Sequence, residues 1–336
     1  YFRLMNNIEE PINRLGVNTF FDGSFNGGGH SINIDLEVAS ACVFSFIGIN
    51  GILDSLKIIG NTDNFRSLVG SNSGIIRNCT CDITIKSPYI QPDVYSICSI
   101  NEETGLIESC VNLTNFVRGA EDTCPVWVAG ICDQNYGVIR KCINKGNTRF
   151  TAGDVCGIVY TNGGIVEHCI NTGNFTITDS TMYSIPYVLG GIVGSADPYS
   201  IVRNCINTGN IYIFDTLACG GGIVDDMAWT SQNCLVENCF NSGEIYGYIG
   251  EARKVGGGGI ICKFSSGQVA SEGYNVVKNC LNISNNGGGN IIVDTCMISA
   301  LCLSNNYYDK QMGLTKGFVS EDIIGIAEGK LTTQLI

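Results

Sequence analysis

One phrase recurs seven times along this chain: an aliphatic run, a polar residue and a cysteine, usually followed two places later by asparagine. One copy reads VIRKCIN at 138–144. Neighbouring copies are 27 residues apart at the closest, from Cys142 to Cys169, and 41 at the widest, from Cys239 to Cys280. A repeat of this period indicates a solenoid, a propeller or an array. The seven cysteines are Cys79, Cys110, Cys142, Cys169, Cys205, Cys239 and Cys280.

Each unit contains three short apolar runs. A glycine-flanked run such as GGIVG at 190–194 precedes the cysteine phrase, and an alternating run such as NIYIF at 210–214 follows it. Short runs rich in isoleucine and valine, bounded by Gly, Asn and Ser, are typical of strands rather than helices. Three strands and three turns per unit predict one coil of a parallel β-helix, with strands of successive coils about 4.8 Å apart. Propellers need four strands per blade, and leucine-rich repeats need leucines at fixed offsets, so both fit less well.

Both ends of the chain resemble a known family. Residues 1–12 (YFRLMNNIEEPI) and 21–32 (FDGSFNGGGHSI) are similar to the segments that open the helix in GLUG-type repeat proteins of bacterial surfaces. Residues 305–317 and 325–336 resemble the closing segment of those proteins. The chain departs from the family in its much greater cysteine content.

The resemblance implies a right-handed, single-stranded parallel β-helix in an adhesin-like protein that is secreted or held at the cell surface. With the repeat period, the predicted fold class is all-β, a β-solenoid of roughly eight to ten coils. Residues 1–30 would form the N-terminal strands and first coil, 31–304 the repeats and 305–336 the closing segment of one continuous domain. Since residue 1 falls inside what resembles an opening strand, we expect the chain to be part of a longer polypeptide.

The composition excludes some partners. The formal net charge of −12 argues against nucleic acid, whose phosphates need basic residues, and against an anionic membrane surface. No apolar run is long enough to predict a transmembrane helix. We expect a glycan or a host or community protein as the ligand, and no cofactor; the oligomeric state stays open.

The 18 cysteines occupy two main positions. Seven form the phrase above, and a second set lies near the glycine-flanked run: Cys98, Cys132, Cys156, Cys219, Cys262 and Cys296. Because buried cysteine packs as a small hydrophobic residue, we expect an inward column of mostly reduced thiols, with a few disulfides as the alternative. No metal site is predicted, because no histidine lies close enough in sequence to complete a four-ligand set. The asparagine that follows six of the seven cysteines is expected in a turn, since asparagine tolerates the left-handed conformation.

Many parallel β-helices cleave polysaccharides, so catalytic residues need consideration. A hydrolase needs paired carboxylates. Asp225 and Asp226 are the adjacent acidic pair that follows a glycine-rich strand, and the two histidines are His30, within the opening phrase, and His168, at a position that other repeats fill with asparagine. A hydrolase site at this pair would also need further carboxylates and a histidine from neighbouring coils, and both histidines are assigned to structural positions. We therefore predict no catalytic residue and no enzymatic activity.

The corner after the glycine-flanked run lengthens toward the C-terminus, at 195–200, 225–233 and 263–274. In a solenoid, insertions at one corner stack on one face, which is often the binding face. Aromatic rings beside carboxylates suit a sugar or protein ligand, although the same rings could instead shield the core. The predicted binding residues are Tyr199, Asp225, Asp226, Trp229 and Tyr274. The predicted function is an adhesin-like binding or stalk module; the alternatives are a polysaccharide lyase or hydrolase and a self-assembling fibre segment.

Overall fold

A computed structural model gives the fold as three long sheets of parallel strands. The chain runs through sheets A, B and C and returns to A, where each strand pairs with the strand from the preceding circuit. We call each circuit a pass. The structure describes the whole chain except residues 13–19, 37–40, 63–64, 86–92, 118–125, 152, 179–187, 215–219, 228–232, 250–251, 254–256, 265–274, 285–289, 293–300, 310, 312–323, 325–326 and 336.

Sheet A contains eleven strands. In most of them the central residue points into the core and its two neighbours are half-exposed, as in Leu106–Glu108, where Ile107 is buried. The strands are β1 (Phe2–Arg3), β4 (Ser24–Asn26), β7 (Ile52–Asp54), β10 (Ile75–Arg77), β14 (Leu106–Glu108), β19 (Val138–Arg140), β24 (Ile165–Glu167), β29 (Ile201–Arg203), β34 (Leu235–Glu237), β39 (Asn275–Lys278) and β42 (Leu301–Ser304).

Sheet B follows the cysteine phrase, and from β15 onward most passes contribute two short strands to it. The strands are β2 (Ile8–Ile12), β5 (Ser31–Ile34), β8 (Lys57–Asn61), β11 (Thr80–Ile85), β15 (Val111–Asn112), β16 (Asn115–Val117), β20 (Ile143–Asn144), β21 (Thr148–Phe150), β25 (Ile170–Asn171), β26 (Phe175–Ile177), β30 (Ile206–Asn207), β31 (Ile211–Ile213), β35 (Phe240–Asn241), β36 (Ile245–Ile249), β37 (Ala252–Arg253), β40 (Leu281–Asn282), β43 (Asn306–Asp309) and β44 (Ala327–Lys330). A short helix, α1 (Thr332–Leu335), follows β44.

Sheet C contains the glycine-flanked runs and divides in several passes into two arms. The first arm is β12 (Asp93–Tyr95), β17 (Val126–Ala129), β22 (Gly153–Cys156), β27 (Leu189–Gly190) and β32 (Gly220–Gly221). The second arm is β13 (Cys98–Asn101), β18 (Cys132–Asn135), β23 (Val159–Asn162), β28 (Val193–Ala196) and β33 (Val224–Met227). The remaining strands are β3 (Phe20–Phe21), β6 (Ala41–Ile47), β9 (Phe65–Asn72), β38 (Gly257–Phe264) and β41 (Asn290–Ile292).

The structure confirms an all-β fold of long parallel, solenoid-like sheets. Sheet A has eleven strands, more than the eight to ten coils expected, because passes before Cys79 and after Cys280 lack the cysteine phrase by which coils are recognised in the sequence. The right-handed, single-stranded form and the three-part division of the chain stay predictions.

The core runs along the axis of the three sheets as one main cluster of buried residues, from Ile32 to Ala327. The seven cysteines of the repeated phrase lie in it, each almost wholly buried. Each follows a residue in the left-handed conformation, such as His168 before Cys169 or Asn204 before Cys205. The tight turn therefore comes before the cysteine, at the position that Asn or another polar residue occupies.

The asparagine two places after the cysteine is not in the turn, contrary to expectation. It points inward from sheet B, and its side-chain amide donates to the side-chain oxygen of the equivalent asparagine on the next pass. A primary amide has both donors and an acceptor, so identical side chains at strand spacing can form a continuous ladder. Its hydrogen bonds are Asn112–Asn144 at 2.7 Å, Asn144–Asn171 at 2.7 Å, Asn171–Asn207 at 2.8 Å, Asn207–Asn241 at 2.8 Å and Asn241–Asn282 at 2.9 Å.

The second cysteine set does not occupy one position. Cys98 pairs in register with Cys132, but Cys156 is in register with Ala129 on the first arm of sheet C. Cys262 is disulfide-bonded. Cys219 and Cys296 lie outside the described residues.

Candidate functional site

The turns from sheet C to sheet A stack into a corner that repeats on successive passes. We call it the corner face: residues 73–74, 102–105, 136–137, 163–164 and 197–200, with the outward side chains of the strands just before them. Backbone hydrogen bonds hold the turns together, because the first residue of each turn donates to the last strand residue of the preceding pass. These bonds are Glu102 to Asn72, Tyr136 to Asn101, Gly163 to Asn135 and Asp197 to Asn162.

Tyr136 presents an aromatic ring on the corner face. The side chain is 42% exposed, and its hydroxyl donates to Oε1 of Gln134 at 3.2 Å. The ring lies over Gly163, where an added Cβ would be only 3.1 Å from Cδ1 of the ring. Glu102 and Glu103 line an open surface pocket with it. A ring and carboxylates therefore face solvent together.

Tyr199 is the most exposed aromatic residue of the corner face. Its side chain is 67% exposed, and its φ angle is 65°. The left-handed region is costly for a residue with a large side chain, and such strain is concentrated at functional sites. Tyr199 occupies a turn in which Ser200 N–H donates to the Asp197 carbonyl at 3.2 Å. This turn holds the ring away from the core.

The structure separates the residues that the sequence analysis assigned to one binding patch. Tyr199 lies on the corner face, and Asp226 points outward from β33, where it is in register with Ser195. Asp225, the preceding residue of the same strand, is fully buried. Trp229 and Tyr274 lie outside the described residues.

Asp225 lies instead in a cluster of mostly acidic side chains on the strands of sheet C, which the repeat pattern did not predict. We call it the acidic cleft. A small cluster of buried residues, Tyr95, Ala129 and Cys156, lies there, separate from the main core. The other polar side chains of the cleft are Arg66, Asp93, Asp133, Asp154, Tyr160 and Asp225.

Two hydrogen bonds and one cation–π contact fix the positions of side chains in the acidic cleft. The Tyr160 hydroxyl donates to Oδ2 of Asp154 at 2.9 Å, and the backbone N–H of Val188 donates to its Oδ1 at 2.8 Å. The guanidinium of Arg66 lies over the Tyr95 ring, 5.6 Å from its centroid. An aromatic ring attracts a cation at this distance, so the pair is a stabilising contact.

Burial shifts the acid–base properties of the cleft. It raises the pKa of Asp133 to about 6; the nearby Asp93 acts in the same direction, whereas Arg66 opposes it. Burial also raises the pKa of Asp93, and the pKa values of Tyr95 and Tyr160 lie above their usual value, so both phenols stay protonated. The cleft can therefore hold a protonated carboxyl group close to neutral pH.

The sequence carries one signal for this cleft. The residue after the inward-facing Cys132 and Val224 is aspartate in both passes. Without the structure, that aspartate would be assigned to the outer surface, because side chains alternate along a strand. In the structure Asp133 and Asp225 are both buried, because sheet C divides into two arms at this point.

No group of three or more His, Cys, Asp or Glu side chains in the described part of the chain could hold a metal ion. No helix among the described residues is long and apolar enough to cross a membrane.

No protein-family model and no curated protein matches this sequence, so the GLUG-type resemblance stays a prediction. A solved structure described as "IgA1 Protease" has a similar fold, with a TM-score of 0.52 and 13% sequence identity. The likeness covers 90% of this chain and 22% of that chain, so this chain spans about a fifth of that protein. At this identity the likeness supports the fold alone.

The prediction that the chain has no enzymatic activity is contradicted, because the solved structure that shares its fold is named a protease. That prediction depended on the lack of a histidine beside Asp225 and Asp226, which argues against one hydrolase arrangement and not against enzymes in general. The comparison therefore supports the all-β, solenoid-like fold and gives no ground for excluding enzymatic activity.

Proposed function

We propose that this chain is an extracellular, adhesin-like β-helix module that binds a glycan on its corner face. The observation that carries the proposal is the pair of exposed tyrosines, Tyr136 and Tyr199, on stacked turns beside outward carboxylates and amides. A tyrosine ring can stack on a sugar ring while nearby carboxylates and amides accept and donate hydrogen bonds to its hydroxyls. The strained backbone of Tyr199 supports the same assignment, because it keeps the ring exposed at a cost in stability.

The extracellular location has separate support. The similar fold occurs in a protein whose name gives immunoglobulin A1 as its target, and immunoglobulins act outside cells. A net charge of −12 and the lack of a described membrane-spanning helix are consistent with that setting.

The test is a glycan array followed by titration calorimetry on the glycans that bind. Tyr199→Ala and Tyr136→Ala should each weaken binding about tenfold, the loss expected for one aromatic stacking contact of roughly 1.5 kcal/mol. Phe214→Ala is the matched control, because Phe214 is also an exposed ring (45%) but follows β31 on sheet B. It should leave the affinity unchanged.

Melting curves distinguish a lost contact from a damaged fold. If Tyr199→Ala and Tyr136→Ala bind every glycan as the parent chain does, the corner face is not the binding site. If the parent chain binds proteins on a parallel array and no glycan, the ligand class is wrong although the face can still be mapped with the same variants.

A second candidate function is polysaccharide hydrolysis in the acidic cleft. Asp133, with its raised pKa of about 6, is suited to donate a proton to the leaving oxygen of a glycosidic bond. Asp154 accepts two hydrogen bonds, as a carboxylate does, and is suited to take a proton from the attacking water. Both side chains retain a small exposed fraction, 8% for Asp133 and 9% for Asp154.

Reducing-end assays on neutral and acidic polysaccharides test this second candidate. Asp133→Asn and Asp154→Asn should each abolish turnover, whereas Tyr199→Ala should change it only through substrate binding. Turnover that survives both aspartate substitutions, or no turnover on any substrate, would leave the binding module as the proposed function.

A further inference from the structure

Eight charged residues of alternating sign occupy the third position of successive sheet-A strands, in register. Each base forms an ion pair with the acid one pass before it, for example Arg77 with Asp54 at 2.8 Å and Arg203 with Glu167 at 2.6 Å. In order along the axis the row is Asp54, Arg77, Glu108, Arg140, Glu167, Arg203, Glu237 and Lys278. We call it the charge row.

Neutral residues end the charge row on both sides, since Asn26 precedes Asp54 in register and Ser304 follows Lys278. A second row runs parallel to it, two residues away on the same outer face, about 6.6 Å distant. This apolar row contains half-buried aliphatic side chains: Ile52, Ile75, Leu106, Val138, Ile165, Ile201, Leu235 and Val276. A continuous apolar row beside a charge row is typical of an interaction surface.

We propose that this face of sheet A binds a second copy of the same chain, with the two solenoids antiparallel. A two-fold axis in the interface, perpendicular to the rows, reverses their order but keeps each row opposite itself. Because the charge row has an even number of alternating members, reversal places every charge against one of opposite sign. The facing pairs across the interface are Asp54 with Lys278, Arg77 with Glu237, Glu108 with Arg203 and Arg140 with Glu167.

The same reasoning excludes the parallel arrangement in register. A two-fold axis that runs along the charge row would place each charged residue opposite its own copy, so that like charges would meet at all eight positions. Opposed like charges are strongly unfavourable in an interface. An axis midway between the two rows would instead bury the charges against the apolar row, which is also costly. In the antiparallel arrangement the apolar rows also meet, which removes both from water.

The ion pairs within the chain leave hydrogen-bond donors of the charge row available to a second copy. A guanidinium has five N–H donors in a fork, and Arg140 uses its Nε–H on Glu108 at 2.8 Å. Its remaining donors can reach a carboxylate of the second copy. The arginine side chains of the row are also its more exposed members, at 39% for Arg140 against 21% for Glu108.

The size of the face sets the strength of the association. Seven strand spacings of about 4.8 Å and a width of about 10 Å give roughly 340 Å² per copy, or roughly 700 Å² in total. Stable complexes usually bury about 1,200 Å² or more. The dimer should therefore be weak, dependent on concentration, and weakened by salt, which screens exposed charges.

Sedimentation velocity over a range of concentrations, at low and high salt, tests the proposal. The parent chain should shift toward the dimer as concentration rises at low salt. The swapped variant Glu167→Arg/Arg203→Glu keeps an ion pair between these two positions, but position 167 then faces Arg140 of the other copy, and position 203 faces Glu108. Its self-association should fall by about tenfold or more, as expected for opposed like charges.

A second swap makes the test independent of folding defects. Glu108→Arg/Arg140→Glu should also fail to self-associate, but a mixture of the two swapped variants restores opposite charges at all four central positions. The mixture should form a heterodimer at the concentrations at which the parent chain dimerises. Swapping the exposed pair Lys57 and Asp82 on sheet B (2.9 Å) is the matched control, and it should leave dimerisation unchanged.

A parent chain that stays monomeric at every concentration at low salt would overturn the proposal. Dimerisation that both central swaps leave intact would also overturn it, because the contact would then lie elsewhere. So would two swapped variants that remain monomeric when mixed although circular dichroism shows both to be folded.

Discussion

The side-chain amide of Asn144 donates a 2.7 Å hydrogen bond to the side-chain oxygen of Asn171, one pass further along the chain. Both residues are almost wholly buried, so the bond connects two polar groups that water does not reach. The oxygen of each also accepts a backbone N–H two residues on, from Gly146 and Gly173 at 3.2 Å. The ladder thus stabilises both the stacking of passes and the break between the two sheet-B strands of a pass.

Asn144→Ala should destabilise the chain by roughly 2–4 kcal/mol, because it leaves an amide donor of Asn112 and the backbone N–H of Gly146 buried without their acceptor, and removes one of the two hydrogen bonds to the Asn171 oxygen. Chemical denaturation monitored by circular dichroism measures the loss. The exposed neighbour Lys145 provides the control, since Lys145→Ala removes no buried hydrogen bond. Equal effects of the two substitutions would show that the ladder contributes little.

Gly191→Ala should also destabilise the chain by roughly 2–4 kcal/mol, through overpacking. A Cβ at Gly191 would lie 2.0 Å from the carbonyl oxygen of Gly222 and 2.7 Å from Cγ of Asn207 in the ladder. Backbone cannot move aside as an exposed side chain can. Gly163→Ala is the control, because its nearest neighbour is the Tyr136 ring at 3.1 Å. Similar melting temperatures for both variants would contradict the prediction.

Asp133→Asn should stabilise the chain at pH 7.5 and leave its stability nearly unchanged at pH 4. The pKa of Asp133 is raised from 3.8 to about 6 in the folded chain, so the folded state favours the protonated form. Stability therefore falls as pH rises from about 4 to about 6, by roughly 3 kcal/mol in total, and stays reduced above that. Asparagine removes this penalty and retains an oxygen that can accept a hydrogen bond from Tyr95.

Glu108→Gln provides a control of opposite sign for the same pH series. The hydrogen bond from Arg140 holds the pKa of Glu108 below its usual value, so its contribution is present at neutral pH and lost as pH falls through the folded pKa. This variant should be less stable than the parent at pH 7.5 and equal to it at pH 3. An Asp133→Asn variant that follows the same trend would refute the pKa assignment.

The cysteines of the repeated phrase should not react with thiol reagents in the folded chain. All seven are almost wholly buried, so a reagent cannot reach them. Burial also raises the pKa of the Cys110, Cys169 and Cys239 thiols well above the usual value, so the reactive thiolate is scarce at these three positions. Thirteen described cysteines are reduced in the structure. Counting with Ellman's reagent in denaturant, without reductant, should therefore find at least thirteen thiols. A much lower count would show that disulfides connect the column.

The described residues of the predicted binding patch lie in different environments in the structure. Tyr199 lies on an exposed turn. The sequence could indicate this turn because the longer corner appears in it as extra residues in the repeat. Asp225 was assigned to the same patch and is buried. Val224 and Met227, on either side of the two aspartates, both pack in the main core, so the aspartates between them do not follow a regular alternation. Asp225 is covered and Asp226 is partly exposed. The binding role of Tyr199 and Asp226 stays a prediction.

The acidic cleft and the charge row could not be recognised as sites in the sequence alone. Asp133 and Asp154 come from different passes, and only the pairing of the strands places both of them near Cys156. The alternating signs of Glu108, Arg140 and Glu167 are present in the repeated phrase, but their register is known only once the strands are paired.

The sequence by itself determined the period, the strand-rich all-β class and the parallel stacking, because each unit repeats short apolar runs bounded by turn residues. Such signals are local in the sequence, and every repeat along the axis contains them again. Only the tertiary structure decided which side of each strand is covered, that Asn144 belongs to a ladder rather than a turn, and that Asp225 is buried. The physical reason is that burial of a side chain depends on what packs against its strand, and in sheet C a second arm of the same sheet covers a side that the alternation of residues would leave in water.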